Sequence, residues 1–123
     1  MKVGWLRGYK CRGCGEHLLR RRIIEEMPPL IVLQCMFTPS TEINIESDLD
    51  IAHACYRLTG LIYGDGNHFV SRIIDTSGGI WYHDGMSTGN RCIEESSLTL
   101  ATDLHKLKYA NNKSLLYSIY RKI

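Results

Sequence analysis

The stretch YRLTGLIYGDGNHFVSRIIDTSGGIWYHDGM, Tyr56 to Met86, constrains this chain more than any other part of it. Apolar and polar residues alternate through three short runs, and alternation with a period of two is the pattern of strands buried on one face. The runs are separated by Gly64-Asp65-Gly66-Asn67 and by Asp75-Thr76-Ser77-Gly78-Gly79. Glycine and asparagine tolerate the positive φ angles of tight hairpins, so both separators read as turns. Tyr56–Tyr63, His68–Ile74 and Ile80–Asp84 are therefore predicted to be consecutive strands of an antiparallel sheet.

Other segments extend this pattern. Leu30–Phe37 is a branched apolar run between Pro29 and Pro39, which predicts a buried strand. Leu115–Tyr120 reads as a closing strand, residues 3–10 as a short entry strand, and 17–26 as a further segment with a wet edge at Arg20-Arg21-Arg22. Thr38 to Ala54 is polar and irregular, with a short strand at Glu42–Ile45. Ser97–Tyr109 is the one helix the sequence suggests, ended by Asn111-Asn112. The fold class expected is α+β, mostly antiparallel sheet, and 123 residues make one domain.

Charge and composition exclude several partners. A net charge of +2 gives no broad basic surface for nucleic acid. No run approaches the roughly 20 apolar residues of a membrane span, and the N-terminus is charged too early for a secretory leader. The cysteines number five, an odd count with no sign of secretion, so reduced thiols and an intracellular setting, cytoplasm or nucleus, are expected.

His68 opens the second predicted strand and Asp84 ends the third. A loop of three or five residues between those strands would place even-numbered residues opposite even-numbered ones. Asp84 would then face His68 directly or across one diagonal step, roughly 5–8 Å between Cβ atoms. A loop of two or four would send them to opposite faces. If they meet, the carboxylate fixes one imidazole tautomer and leaves the other ring nitrogen as a base for a thiol or hydroxyl. The plainer alternative is that His68 starts a strand beside a loop and Asp84 caps a turn with Gly85.

Cys11-Arg12-Gly13-Cys14-Gly15 is a second candidate site. Structural zinc takes four ligands, commonly two Cys-x-x-Cys pairs, and Cys11 and Cys14 supply one pair. His17 is a nearby further donor, and the alternative is a knuckle without metal.

Taken in order, the Cys-x-x-Cys knuckle, MPPLIVLQC, YRLTGLIYG, NHF, IWYHDG and SLLYSIYRK resemble the C-terminal half of a ubiquitin-specific protease domain, a papain-like cysteine peptidase. The resemblance spans about residues 9–121. It divides the chain into a fingers-like knuckle over 1–26 and a palm-like sheet over 27–123. It implies His68 as catalytic base, Asp84 as the residue that orients it, Cys11 and Cys14 as half of a structural zinc site, and ubiquitin or a ubiquitin-like protein as partner. No cofactor is required for the chemistry it implies. Asn67 stands where the family has glycine and Phe69 where it has tyrosine. The family's nucleophilic cysteine box would precede the knuckle, and the sequence holds none, so the resemblance implies a base and its acid without their thiol, inactive alone. One apolar face, bared of its usual lobe, would then favour association. SUMO proteases share the histidine-then-aspartate order, and HFVSRIID and WYHDGM fit them too, though their downstream cysteine and glutamine are missing. A non-catalytic module that binds ubiquitin or a relative is the remaining alternative.

Overall fold

The structure is a computed structural model that describes residues 3–10, 12–21, 26–35, 45–99 and 102–123. In chain order these form β1 (Val3–Lys10), β2 (His17–Arg21), β3 (Leu30–Gln34), β4 (Asp48–Ile51), β5 (Ala54–Gly64), β6 (Phe69–Ile74), β7 (Gly79–His83), β8 (Ile93–Ser97), a 3₁₀ turn (Leu104–Lys108), β9 (Tyr109–Ala110) and β10 (Lys113–Lys122). β1 and β2 pair with each other. The others form one sheet in the order β3-β10-β5-β6-β7-β8, with β4 added to β5 and β9 to β10. Each pairing in it is antiparallel.

β5 is the long central strand, and it keeps one face buried along its length only because it bulges. Ile119 of β10 faces Gly60, but the next residue, Tyr120, faces Leu58, so Thr59 is the extra residue. A bulge of this kind shifts the two-residue alternation by one. Tyr56 and Leu58 before it, and Leu61 and Tyr63 after it, consequently all point into the core, each at most 1% exposed. Gly60 suits the site because a Cβ there would sit 3.4 Å from the Ile119 side chain, with little room to spare.

Val70, Ile74, Ile80, Leu115 and Tyr120 complete the inner face, and Ile45, Leu107 and Ala110 cover it. Those covering residues lie in a loop, the 3₁₀ turn and the two-residue strand β9, which must be tied down in place of a packed helix. Three core tyrosines do so. Tyr56 donates its hydroxyl to Pro28 O at 2.6 Å, Tyr63 to Leu107 O at 2.5 Å and Tyr120 to Glu46 O at 2.6 Å. Burial pushes the Tyr63 and Tyr120 hydroxyls up to about 12, so both stay protonated donors.

The outer face has no cover among the described residues. Val32, Ile119, Gly60, Ile73 and Trp81 run as one row across five strands, from β3 to β7. Val32 is 58% exposed, Ile73 42% and nearby Phe69 59%, an apolar surface of the kind associated with binding.

This architecture corrects the expected fold class. The regular structure among the described residues is nearly all antiparallel sheet, a small β domain, which overturns both the α+β class expected from the predicted helix and the papain-like half-domain that the resemblance implied. The helix expected over Ser97–Tyr109 is reduced to the five residues of the 3₁₀ turn. Hydroxyl chemistry explains the loss. Thr102 Oγ1 accepts from Thr99 N at 2.8 Å and donates to Ser97 O at 3.3 Å, offering the backbone partners outside a helix. Asp103 then caps His105 N, and Tyr109 is already back in extended conformation. The strand expected at Leu30–Phe37 is β3 as far as Gln34, but it lies at the end of the sheet order with no residue buried, not in the core as expected; Met36 and Phe37 lie outside the described residues, as does most of the strand expected at Glu42–Ile45. β4 and β8 were not expected.

Leu61→Ala should destabilise the domain by about 2–5 kcal/mol, since it empties a fully buried position in the central strand. Urea unfolding followed by tryptophan fluorescence would measure this. A loss under about 1 kcal/mol would mean that Leu61 is not part of a close-packed core.

Candidate active site

The loop between β6 and β7 decides which face each residue takes. Ile74 pairs with Ile80 across the five residues Asp75–Gly79, followed by Ile73 with Trp81, Arg72 with Tyr82 and Ser71 with His83. Even numbers therefore face even numbers. Extended one step, Val70 lies opposite Asp84, and His68 is its diagonal neighbour.

Asp75 builds this loop. Its carboxylate accepts from Ser77 N at 2.9 Å, Ser77 Oγ at 2.7 Å, Gly79 N at 2.8 Å and Trp81 Nε1 at 2.9 Å. These donors, the Ser77 hydroxyl and the Trp81 indole foremost, hold the carboxyl well below the ordinary carboxylate range. Gly78 supplies the φ of +92° that the turn needs, and a Cβ there would lie 2.9 Å from Leu98 O.

The two candidate catalytic residues meet. His68 Nε2 lies 2.6 Å from Asp84 Oδ1, with the histidine side chain 27% exposed and the aspartate 5%. Asp84 is held in place by its own turn: Met86 N donates to Oδ1 at 2.9 Å, and Thr88 Oγ1 donates to Asp84 O at 2.9 Å. The carboxyl is lowered to about 2, chiefly by the Met86 N–H, with His68 and Ser87 adding and burial opposing. An ionised carboxylate only accepts, so the nitrogen facing it must carry the proton. Neutral His68 is thus the Nε2–H tautomer, and Nδ1 keeps its lone pair. No other side chain among the described residues hydrogen-bonds the ring. The turn-capping reading of Asp84 is met by Met86 N, and the same carboxylate oxygen faces His68 Nε2.

Among the described residues no thiol hydrogen-bonds that ring. The described cysteines, Cys14, Cys35, Cys55 and Cys92, are free, and none hydrogen-bonds His68. Cys35 donates to Leu33 O at 3.8 Å and to Ser118 Oγ at 3.7 Å. Hydrogen bonding to Asp50 and its charge raise the Cys55 thiol, which disfavours the thiolate.

Of the zinc pair, Cys14 is exposed and Cys11 lies outside the described residues. No group of three or more His, Cys, Asp or Glu among the described residues could hold a metal ion. A structural zinc takes four ligands, and of the Cys-x-x-Cys pair Cys14 is the member among the described residues. His83 points away from the dyad and meets Gly89 O at 2.9 Å, while His53 and His105 are exposed.

Behind the dyad the sheet carries a polar cluster that sequence reasoning missed. Arg72 Nε donates to Glu95 Oε1 at 2.7 Å, and Nη1 reaches Tyr63 Oη at 3.0 Å and Tyr109 O at 2.9 Å. Face parity with His68 was its only signal in the sequence. Among the described residues no helix is long and apolar enough to cross a membrane, which does not bear on strands.

Comparison with known proteins leaves the geometry to stand by itself. No protein-family model matches the chain, and no curated protein matches it significantly.

The lowered Asp84 carboxyl makes a signed prediction. A group whose pKa falls on folding stabilises fully above its unfolded value, about 3.9, and that contribution is lost as pH falls through its folded value, about 2. Asp84→Asn should therefore flatten the decline in stability between about pH 4 and pH 2, leaving the share of Asp65 and Asp75, which are also lowered. Urea midpoints measured across that range test it, and parallel curves for the two proteins would refute it.

Proposed function

We propose that this chain carries the base and orienting acid of a cysteine peptidase site directed at the C-terminal tail of ubiquitin or a ubiquitin-like protein. The observation that supports it is the 2.6 Å contact between His68 Nε2 and Asp84, which leaves Nδ1 available at a partly exposed edge of the sheet. In that role Nδ1 takes the proton of a thiol, and the thiolate attacks the isopeptide carbonyl. The resulting imidazolium protonates the leaving lysine amine. His68 is the proton carrier, and Asp84 stabilises the imidazolium without accepting its proton. The thiol must come from outside the described residues.

Without its thiol the chain does not turn over, and it acts as a module that engages the modifier's tail. The absence of any described cysteine at His68 favours this binding role for the isolated chain. Free thiols at Cys14, Cys35, Cys55 and Cys92 fit work in the cytoplasm or nucleus, where these modifiers act. The uncovered row of Val32, Ile119, Ile73 and Trp81 further supports association through the outer face.

Titration of the ¹⁵N-labelled chain with ubiquitin, and separately with a SUMO protein, should shift the amides of His68, Phe69, Asp84 and Met86 with one modifier. The same modifier lacking its last residues should fail to do so. A probe bearing a C-terminal vinyl sulfone should leave the chain unlabelled. Silence in both titrations would remove this reading; labelling of one cysteine would instead restore the chain to the active enzymes. Sedimentation should show self-association that Val32→Lys or Ile73→Lys reduces, and a monomer at all concentrations would exclude it.

A further inference from the structure

A sheet that does not close on itself has two edges, and among the described residues this one ends at β3 and at β8. The two ends are built differently. β8 reads IEESS, with every side chain exposed and Glu94 and Glu95 within it. Acidic side chains on an edge repel a second copy of that edge, a common defence against unwanted pairing. β3 reads LIVLQ, with no charge, no proline and no register shift against β10.

The pairing with β10 shows which backbone groups of β3 are in use. Cys35 N donates to Leu116 O at 2.7 Å, and Lys122 N donates to Pro29 O at 2.9 Å. In an antiparallel strand alternate residues turn both N–H and C=O toward the same neighbour. Pro29, Ile31, Leu33 and Cys35 therefore face β10, while the N–H and C=O of Leu30, Val32 and Gln34 face away from it. Those outward groups have no hydrogen-bonding partner among the described residues. Pro28, the next residue of outward parity, has no N–H, so the open edge begins at Leu30.

The side chains match this division. Leu30 and Val32 are 54% and 58% exposed on the outer face. Ile31 and Leu33 are partly buried and pack against the core from the inner one. Both faces of the open edge are thus apolar.

We propose that this edge pairs with the same edge of a second copy of the chain, β3 against β3, about a two-fold axis at Val32. Antiparallel alignment then sets Leu30 opposite Gln34 of the second copy, Val32 opposite Val32, and Gln34 opposite Leu30. Each pair exchanges N–H and C=O in both directions, so every outward group of both strands gains a partner. A slip of two residues toward Pro28 would set proline opposite Gln34 and lose a donor. On the inner face Ile31 meets Leu33, apolar against apolar, and no charged side chain of β3 meets another. On the outer face the row of Val32, Ile119, Gly60, Ile73 and Trp81 continues into the second sheet. β8 against itself would crowd its glutamates, which is why the second copy belongs at β3. A two-fold contact consumes the edge it uses, so assembly stops at a dimer. The pairing is made of backbone bonds and depends neither on the peptidase reading nor on association through the outer face.

Amide hydrogen exchange of the full chain at low and high protein concentration, read beside sedimentation velocity, tests it. Concentrating the protein should produce a dimer and slow exchange at Leu30, Val32 and Gln34 together. Ile73→Lys, on the outer face, should leave that protection in place. Val32→Thr keeps the N–H and should dimerise as wild type does. Val32→Pro should stay monomeric and lose the protection at Leu30 and Gln34. Proline there removes no bond to β10, because the Val32 N–H faces away from that strand, and circular dichroism checks that the sheet is kept. If Val32→Pro does not fold, Gln34→Pro makes the same test at the end of the strand. Exchange at the three amides that stays fast at every concentration overturns the proposal. So does a monomeric Val32→Thr, a folded proline variant that still dimerises, or protection that vanishes with Ile73→Lys. Protection that arises in the dilute chain only when ubiquitin is added would assign the edge to an extended tail, and overturn the second copy as its occupant.

Discussion

The carboxylate of Asp75 accepts three hydrogen bonds from its own hairpin loop and a fourth from Trp81 on β7, and the orientation of everything beyond it follows. Those bonds fix how many residues separate Ile74 from Ile80. In a structure where side chains alternate faces, a change of one residue would send Asp84 to the opposite side of the sheet from His68. The dyad is therefore a consequence of turn chemistry at Asp75, which lies between its two members in sequence. Its 2.6 Å contact requires no strained backbone at either residue, since among the described residues positive φ outside glycine is confined to Ala52, Asn111 and Asn112.

The second dependence is on tyrosine. A sheet needs something over its apolar face, and here that cover is made of loops. Loops bring unpaired carbonyls with them, and burying such groups without partners is costly. Tyr56, Tyr63 and Tyr120 each present a ring to the core and a hydroxyl to one of these carbonyls. Tyr63 serves twice, because Arg72 stacks over its ring at 5.3 Å and donates to its hydroxyl. The cluster behind the dyad thus grows out of the same solution that keeps the cover in place.

The contrast between what the sequence revealed and what it hid follows from how locally each feature is encoded. β5, β6, β7 and β10 alternate clearly or are broadly apolar, and their hairpin residues are explicit, so their existence and approximate limits were legible. The meeting of His68 and Asp84 was legible only as a parity condition, because whether Asp75–Gly79 behaves as an odd or even loop depends on the Asp75 side chain. The Ser97–Tyr109 helix was misread because Leu98, Leu104 and Leu107 have helical spacing, while the threonine hydroxyls that compete for the backbone leave no periodic trace. β8 has all five side chains exposed and so no alternation to read, and β4 shows its pattern over only four residues. The α+β expectation rested on that one helix and the papain-like half-domain on the resemblance, and the described residues form neither.

The position of β10 shapes how such a sheet can assemble. β5 through β8 form a meander of local hairpins, which close quickly, whereas β3 pairs with β10 alone, more than eighty positions along the chain (Gln34 opposite Tyr117). Until β10 inserts beside β5, the strand LIVLQ has no partner within this sheet and is an open template for another chain. The segment richest in branched apolar residues is thus the last to be paired, and its amides should be the latest to gain protection in pulse-labelled hydrogen exchange. Late capture of a sticky edge, more than any weakness in the finished core, is where refolding would compete with aggregation.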